Sequence, residues 1–356
     1  MPTIGEFVSM ALEHSATDIY FNPNTPPWLR IDGAMHLLQD HPLLDGEEIE
    51  TLARQVLPRL AAGPLPENAV GAVSLDGLCR LRVTLFTGNE GPSLSCRLIS
   101  ATVPDFQVLG LPRVLKKLAT EPHGLLLLVG RAGSGKSSTL AALIDYINHH
   151  FQKSIVSIET PVEYVHNNKM SFIEQIPYHH TDARFDRIWH AGYLQTADVI
   201  AIDGLTPDEM ISPALAAAAE GCLVMATLES NGGSAEVLEQ VIHMESAARR
   251  DSRRLLLAAT LRGVVWQHLF RRKTGERVQP AFEVLLNDQV ISGLIGQPGR
   301  LHLIRPTMAA GRFKGMQTMR QALSELKAAS DAHEGEIHAF ERAMLAHYVR
   351  PVTARF

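Results

Sequence analysis

The sequence predicts an α/β protein of two domains: a small α+β domain first, then a larger doubly wound one. Three observations carry this. The chain has 356 residues, which at roughly 150 residues per domain makes about two. Its first hundred residues mix short alternating strands with helical patterns, whereas the rest alternates continuous apolar runs with helices. That second pattern belongs to a parallel sheet covered on both faces. Finally, Gly130-Arg131-Ala132-Gly133-Ser134-Gly135-Lys136-Ser137 stands where one apolar run gives way to a helix.

In the first domain, Ile4, Phe7, Val8, Ala11 and Leu12 share one helical face. Asp18 to Phe21 reads as a short strand, and Trp28 to Ile31 as another, with Asp32-Gly33 supplying a hairpin-type turn. A helix over Glu47 to Leu57 turns Ile49, Leu52, Ala53 and Val56 inward, and Pro58 to Pro66 is a loop. Arg80 to Leu85 alternates, with Leu81, Val83 and Leu85 on one face and Arg80, Arg82 and Thr84 on the other. Across the turn Gly88 to Pro92, the partner strand Leu94 to Ile99 carries Arg97. The domain closes at 99, and Ser100 to Pro112, with its two prolines, is an extended linker.

The second domain covers 113–356. Leu125 to Val129 is a buried-type strand, and the helix from Ser137 to Asn148 turns Leu140, Ala141, Ile144 and Ile147 inward. Further strands are expected at Ser154 to Ile158, Val199 to Ile202 and Leu223 to Thr227, and helices at Arg249 to Gln267 and Thr318 to Lys327. Arg249, Arg250, Arg253 and Arg254 form a basic cluster on the first of these helices. It reads as a solvated or intersubunit face, because 33 Lys plus Arg against 38 Asp plus Glu leave a net charge of −5. That balance gives no general pull toward nucleic acid.

Cys79, Cys96 and Cys222 make neither a disulfide framework nor a metal-spaced pair. His149-His150 and His179-His180 have no metal-site spacing and read as exposed. The amino terminus, Met1 to Glu6, has no basic region before an apolar run, so it does not read as a signal peptide. The apolar stretch Ile211 to Leu228 is broken by Ser212, Pro213, Glu220 and Gly221, which argues against a membrane span. The expected location is the cytoplasm.

The phosphate-loop pattern G-x-x-x-x-G-K-[ST] has a mechanical basis. Gly130, Gly133 and Gly135 let backbone N–H groups turn toward phosphates, and the helix that follows adds its positive end. Lys136 reaches the β- and γ-phosphates, and the Ser137 hydroxyl ligates Mg²⁺. Ser134 and Ser138 complete the candidate ATP-binding set. An ordinary glycine-rich strand-to-helix turn is the plainer alternative. Val199-Ile200-Ala201-Ile202-Asp203 reads as an apolar strand ending in an acid that holds Mg²⁺, so Asp203 is a catalytic and metal candidate.

The phosphate loop, together with Ser157-Ile158-Glu159-Thr160-Pro161-Val162-Glu163-Tyr164-Val165-His166, resembles the type IV pilus retraction ATPases, the PilT/PilU-like family of the secretion-ATPase superfamily. Pro26 to Gly33, Arg80 to Val83, Val290 to Ile295 and Gly315 to Thr318 extend the resemblance through nearly the whole chain. It implies a PAS-like amino-terminal domain, a RecA-like P-loop ATPase domain, and a hexameric ring with ATP and Mg²⁺ bound between the domains. It implies that Arg80, Arg82 and Arg97 reach the phosphates, where a guanidinium suits phosphate oxygens. It gives Glu159 and Glu163 the roles of carboxylates that hold Mg²⁺ and position water. The implied role is pilus retraction and twitching motility at the cytoplasmic side of the inner membrane at the pilus base. The implied partners are an inner-membrane platform protein and a paralogous retraction ATPase.

The chain departs from the family pattern in linked places. Thr160 stands where members usually carry Asp, and Gly204 where they carry the catalytic Glu that activates water. Cys222 and Glu229 replace the two His-box histidines, and Leu194 replaces an arginine. Asp208 and Glu209 lie too far along the chain to substitute. These losses predict weakened hydrolysis. The alternative they open is a hydrolysis-deficient accessory subunit working beside a competent retraction ATPase.

Overall fold

The computed structural model describes residues 3–57, 63–75, 78–178, 189, 196–205, 210–272, 278–329 and 332–349. Two compact units emerge. The first takes in the chain up to Val103 with Glu159–His166 and a short piece beginning at Pro177. The second is the remainder.

The first unit is α+β. Helix α1 (Ile4–Glu13) starts at a capping box, where the Thr3 side chain and Glu6 exchange bonds with each other's backbone. Strands β1 (Asp18–Phe21), β2 (Trp28–Ile31) and β3 (Ala34–Leu37) follow, then α2 (Gly46–Val56), which Asp45 and Glu48 cap in the same way. Strands β4 (Asn68–Leu75), β5 (Cys79–Gly88) and β6 (Gly91–Ile99) complete the sheet, in the order β3-β2-β1-β6-β5-β4. The alternation in β5 has its expected consequence: Leu81, Val83 and Leu85 are buried against Phe7, Phe21 and Ile49, and the arginines face the other side.

The second unit is a doubly wound α/β layer structure. In chain order it comprises α3 (Val114–Leu118), β7 (Gly124–Gly130), α4 (Lys136–His150), β8 (Ser154–Glu159), β9 (Phe172–Pro177), β10 (Val199–Asp203), α5 (Ile211–Glu220), β11 (Leu223–Glu229) and α6 (Ser234–His243). Then come α7 (Arg250–Thr260), β12 (Leu261–Arg271), β13 (Val278–Leu286), α8 (Gln289–Gly296), α9 (Ile304–Ala310), α10 (Met319–Ala328) and α11 (Glu334–Val349). The strand order is β13-β12-β7-β11-β10-β8-β9. All seven residues of β7 are buried, and it pairs in parallel with β11 on one side and β12 on the other. Phe106, Leu109 and Leu111 pack on this unit's core.

One expectation fails in the second unit and another holds only in part. The helix expected over Arg249 to Gln267 ends at Thr260, and Leu261 to Arg271 is strand β12. The β-rich run Val264-Val265-Trp266 favours a strand there, as does Gly263, where a Cβ would meet the Leu285 carbonyl at 2.8 Å. The basic cluster is divided: Arg249 is exposed and Arg250 half-buried, as a solvated face would be, but Arg253 is not. Arg253 is buried, and its guanidinium donates to Glu245 Oε2 and Ser212 Oγ, each at 2.6 Å. His149 and His150 are exposed as expected, while His179 and His180 lie outside the described residues. Among the described residues no helix is long and apolar enough to cross a membrane.

Candidate functional site

The second unit places the phosphate loop at the carboxyl end of β7, an interior strand, where open α/β sheets bind ligands. Gly130, Gly133 and Gly135 all have positive φ, at 154°, 75° and 86°. Gly130 has a second constraint: a Cβ there would meet the Ser134 Oγ at 2.5 Å and the Gln267 carbonyl at 2.6 Å. Only glycine fits both the backbone conformation and the space.

Lys136, the first residue of α4, is buried and turns back into the loop. Its Nζ donates to the carbonyls of Gly130 at 3.0 Å and Arg131 at 2.9 Å. Burial pushes its pKa down, and the charges of Glu229 and Asp203 partly oppose that shift. The Ser134 hydroxyl is buried with no hydrogen-bond partner among the described residues, in a setting where buried polar groups ordinarily have one. Ser137 and Ser138 sit half-buried in the first turn of α4.

Asp203 ends β10, as the sequence led one to expect. Its Oδ1 accepts from Thr227 Oγ1 at 2.7 Å, and that hydroxyl in turn accepts from the Gly204 amide at 2.7 Å. Gly204 has φ at 95°, with open space where a Cβ would stand. Glu229 ends β11, in register with Gly130, and is exposed. Among the described residues no group of three or more His, Cys, Asp or Glu is arranged to hold a metal. Ser137 and Asp203 are the residues here that could hold a Mg²⁺ ion together with phosphate oxygens and water, a donor set that suits that ion.

The first unit gathers the arginines. Register sets Arg82 of β5 directly opposite Arg97 of β6, and Arg80 lies two residues along the same face. Each has a partner. Arg80 donates from Nε and Nη2 to the Val162 carbonyl at 3.0 and 2.7 Å, and from Nη1 to Ser74 Oγ at 2.8 Å. Arg82 Nη1 donates to Glu163 Oε1 at 2.9 Å, and Arg97 Nε to Asp18 Oδ1 at 3.0 Å. Burial lowers the Arg80 pKa, while Glu159 and Glu163 act to raise it. Glu159 is buried within the same unit.

The family described as Type II/IV secretion system protein matches residues 1–344. The chain belongs to this family. It is 34% identical over 319 residues to the uncharacterised protein YggR of Escherichia coli K12, covering 89% of this chain and 96% of that one. It is 31% identical to the type IV pilus ATPase PilU of Pseudomonas aeruginosa, covering 90% and 84%. Among solved structures, the pilus retraction motor PilT with bound ADP superposes with a TM-score of 0.80 at 28% identity, covering 96% of this chain and 97% of that one. The fold is accordingly the secretion-ATPase one, with a RecA-like P-loop layer.

The positions expected to depart from the secretion-ATPase pattern fall in different places. Glu229 lies beside the phosphate loop. Cys222 does not: it precedes β11, seven residues from Glu229, or about 23 Å along an extended strand, and its Sγ donates to the Ala197 carbonyl at 3.1 Å. Thr160 Oγ1 donates to the Tyr178 carbonyl at 2.7 Å, a bond that an ionised aspartate, which only accepts, cannot make. Leu194, Asp208 and Glu209 lie outside the described residues.

Sequence reasoning missed Gln267. This buried amide on β12 donates from Nε2 to the Ser134 carbonyl at 2.6 Å and accepts from Thr139 Oγ1 at 2.9 Å. It fastens the phosphate loop to the first turns of α4. A glutamine in an apolar strand gives only a faint signal, since a buried amide must find partners.

Proposed function

We propose that this chain is an ATP-binding, PilT/PilU-like motor subunit of the type IV pilus machinery, acting in pilus retraction and twitching motility with weakened hydrolysis. The observation that carries this is the phosphate loop: three glycines at positive φ, with Lys136 held by the Gly130 and Arg131 carbonyls at the end of β7. On this reading Lys136 exchanges those carbonyls for phosphate oxygens, and the backbone amides of the loop cradle the anion. Mg²⁺, when bound, neutralises developing phosphate charge. Ser137 and Asp203 would hold it, and Thr227 fixes the Asp203 carboxylate.

Glu159 and Glu163 are the proposed water-positioning acids, and Arg82 and Arg97 the proposed phosphate arginines. Arg82 commits Nη1 and Arg97 commits Nε to protein partners, and a guanidinium has five N–H donors in all. Arg80, with three donors engaged, orders the segment carrying Glu163. The proposed assembly is a homo-hexameric ring, meeting an inner-membrane platform protein on the cytoplasmic side. A second reading, an accessory subunit beside a competent retraction ATPase, is favoured by one observation. Gly204 offers no side chain at the water-activating position, and its φ of 95° fits glycine.

The test is nucleotide binding and Mg²⁺-dependent phosphate release by the wild type and Lys136→Ala. Wild type should bind a fluorescent ATP analogue and release phosphate slowly, and Lys136→Ala should do neither. Equal affinity in the two proteins sinks the assignment.

A further inference from the structure

Glu283 is a fully buried carboxylate outside the phosphate loop, in the middle of β13. It accepts two backbone amides from two different helices. Ser234 N, at the start of α6, donates to Oε1 at 2.7 Å, and Met319 N, at the start of α10, donates to Oε2 at 3.2 Å. Helix α6 has no capping side chain of its own at Gly233, so this distant strand residue supplies the acceptor. The approach is close. A Cβ on Gly233 would lie 2.6 Å from Glu283 Oε1. Two positive helix ends aimed at one carboxylate favour its ionised form, with the Arg305 charge acting the same way, whereas burial pushes its pKa up.

The segment that Glu283 holds leads straight back to the phosphate loop. Glu229 ends β11 in register with Gly130, and Ser230 N donates to the Gly130 carbonyl at 3.1 Å. That same carbonyl accepts Lys136 Nζ. Ser230 Oγ accepts from Gly232 N at 3.0 Å, which folds the turn onto Gly233. An unbroken chain of contacts therefore runs from Lys136 through residues 229–233 to Glu283 and the start of α10.

We infer that Glu283 is a positioning residue that clamps the 229–233 turn between the phosphate loop and α10, so that the turn, and α10 with it, responds to the terminal phosphate of a bound nucleotide. The inference rests on the ATP-binding reading above. A γ-phosphate competes for Lys136 Nζ, which here donates to the Gly130 and Arg131 carbonyls, and draws it away from the Gly130 carbonyl. When it moves, the Ser230 amide is the remaining donor to that carbonyl, and Glu283 fixes where Ser230 stands. Loss of the clamp should therefore affect ATP more than ADP.

The experiment compares Kd for ADP and for a non-hydrolysable ATP analogue, with steady-state phosphate release, in wild type, Glu283→Gln and Glu283→Asp. Glutamine keeps one acceptor but aims an N–H₂ at a backbone N–H. The expected result is an ADP affinity near wild type, with ATP-analogue affinity and turnover down about ten- to a hundredfold, as for a displaced reacting group. Aspartate, which keeps both acceptors on a shorter stem, should recover part of the loss. A purely structural role would shift both nucleotides together, and that outcome overturns the inference. Should Glu283→Gln fail to fold, hydrogen exchange in the wild type decides. The Ser234 and Met319 amides should change protection together on adding the ATP analogue and not on adding ADP. Independent or absent changes refute the clamp. A wild type that binds neither nucleotide removes the ATP-binding reading itself, and this inference with it.

Discussion

Gln267→Leu tests whether one buried amide sets the shape of the phosphate loop. Leucine roughly keeps the volume but removes both hydrogen bonds, stranding the Ser134 carbonyl and the Thr139 hydroxyl, which is itself only 2% exposed. Each stranded group costs about 1–3 kcal/mol, so the expected loss is on the order of 2–6 kcal/mol. For a unit of this size that lowers the melting temperature by on the order of 10 °C. Function should suffer separately, because the Ser134 carbonyl belongs to the loop that must wrap the phosphates. Nucleotide affinity should fall at least about tenfold, since misplacement of a binding group by an ångström has effects of that size. Gln267→Glu is the sharper variant. It keeps an acceptor for Thr139 but sets a carboxylate oxygen against the Ser134 carbonyl, now 2.6 Å from an N–H₂. Calorimetry with and without nucleotide, and titration of a fluorescent ATP analogue, give the two readouts. Wild-type melting and wild-type affinity in Gln267→Leu would refute the reasoning.

Three further outcomes are expected. Gly204→Glu, alone or with Glu229→His, should raise phosphate release by up to the 10²- to 10⁴-fold that a positioned base provides. Its φ of 95° should also cost stability, by about 1–3 kcal/mol, visible as a lower denaturation midpoint; a wild-type rate already typical of a working motor and unmoved by the change would contradict the degenerate-site reading. Arg82→Gln with Arg97→Gln should weaken ATP-dependent assembly, read by sedimentation velocity, and unchanged sedimentation with ATP would exclude them as phosphate ligands. His268, on β12, has its pKa lowered to about 4 by burial, helped by the Arg131 charge. Its folded value lies below its unfolded one, so the unfolded chain takes up the proton first and stability drains away as pH falls from about 6.5 toward 4. After allowance for partial exposure, His268→Phe should remove on the order of 1–2 kcal/mol of that loss, and chemical denaturation of the two proteins across this range measures it.

The parts of the site dictated by backbone geometry were legible in the sequence. Gly130, Gly133 and Gly135 write their positive φ values into residue type, and the pleat of a strand is enough to put the arginines of Arg80-Leu81-Arg82-Val83 on one face. Features made by distant partners were not legible. Gln267 looks like any polar residue near an apolar run until Ser134 and Thr139 are brought against it. Arg253 reads as surface charge because Glu245 and Ser212 reach it only through the fold. Strand β12 was hidden because Leu255, Leu256 and Leu257 set up a helical rhythm that the apolar residues after Thr260 could continue equally well.

The insulation of β7 bears on how such a site can change over evolutionary time. The floor under the phosphate loop is a strand with every residue buried and parallel partners on both sides. Its backbone should be among the last to exchange hydrogen with solvent. Gly204 and Glu229, by contrast, sit at strand ends: Gly204 has no side chain and that of Glu229 is exposed, so neither contributes to the core. Substitutions there alter chemistry at a folding cost limited to local strain, such as the positive φ of Gly204 imposes, whereas changes beneath the loop would cost both. A lineage can thus shed the groups that split a nucleotide long before it loses the cradle that holds one. Duplicated copies of such an enzyme would drift first into nucleotide-gated structural parts rather than into unfolded remnants.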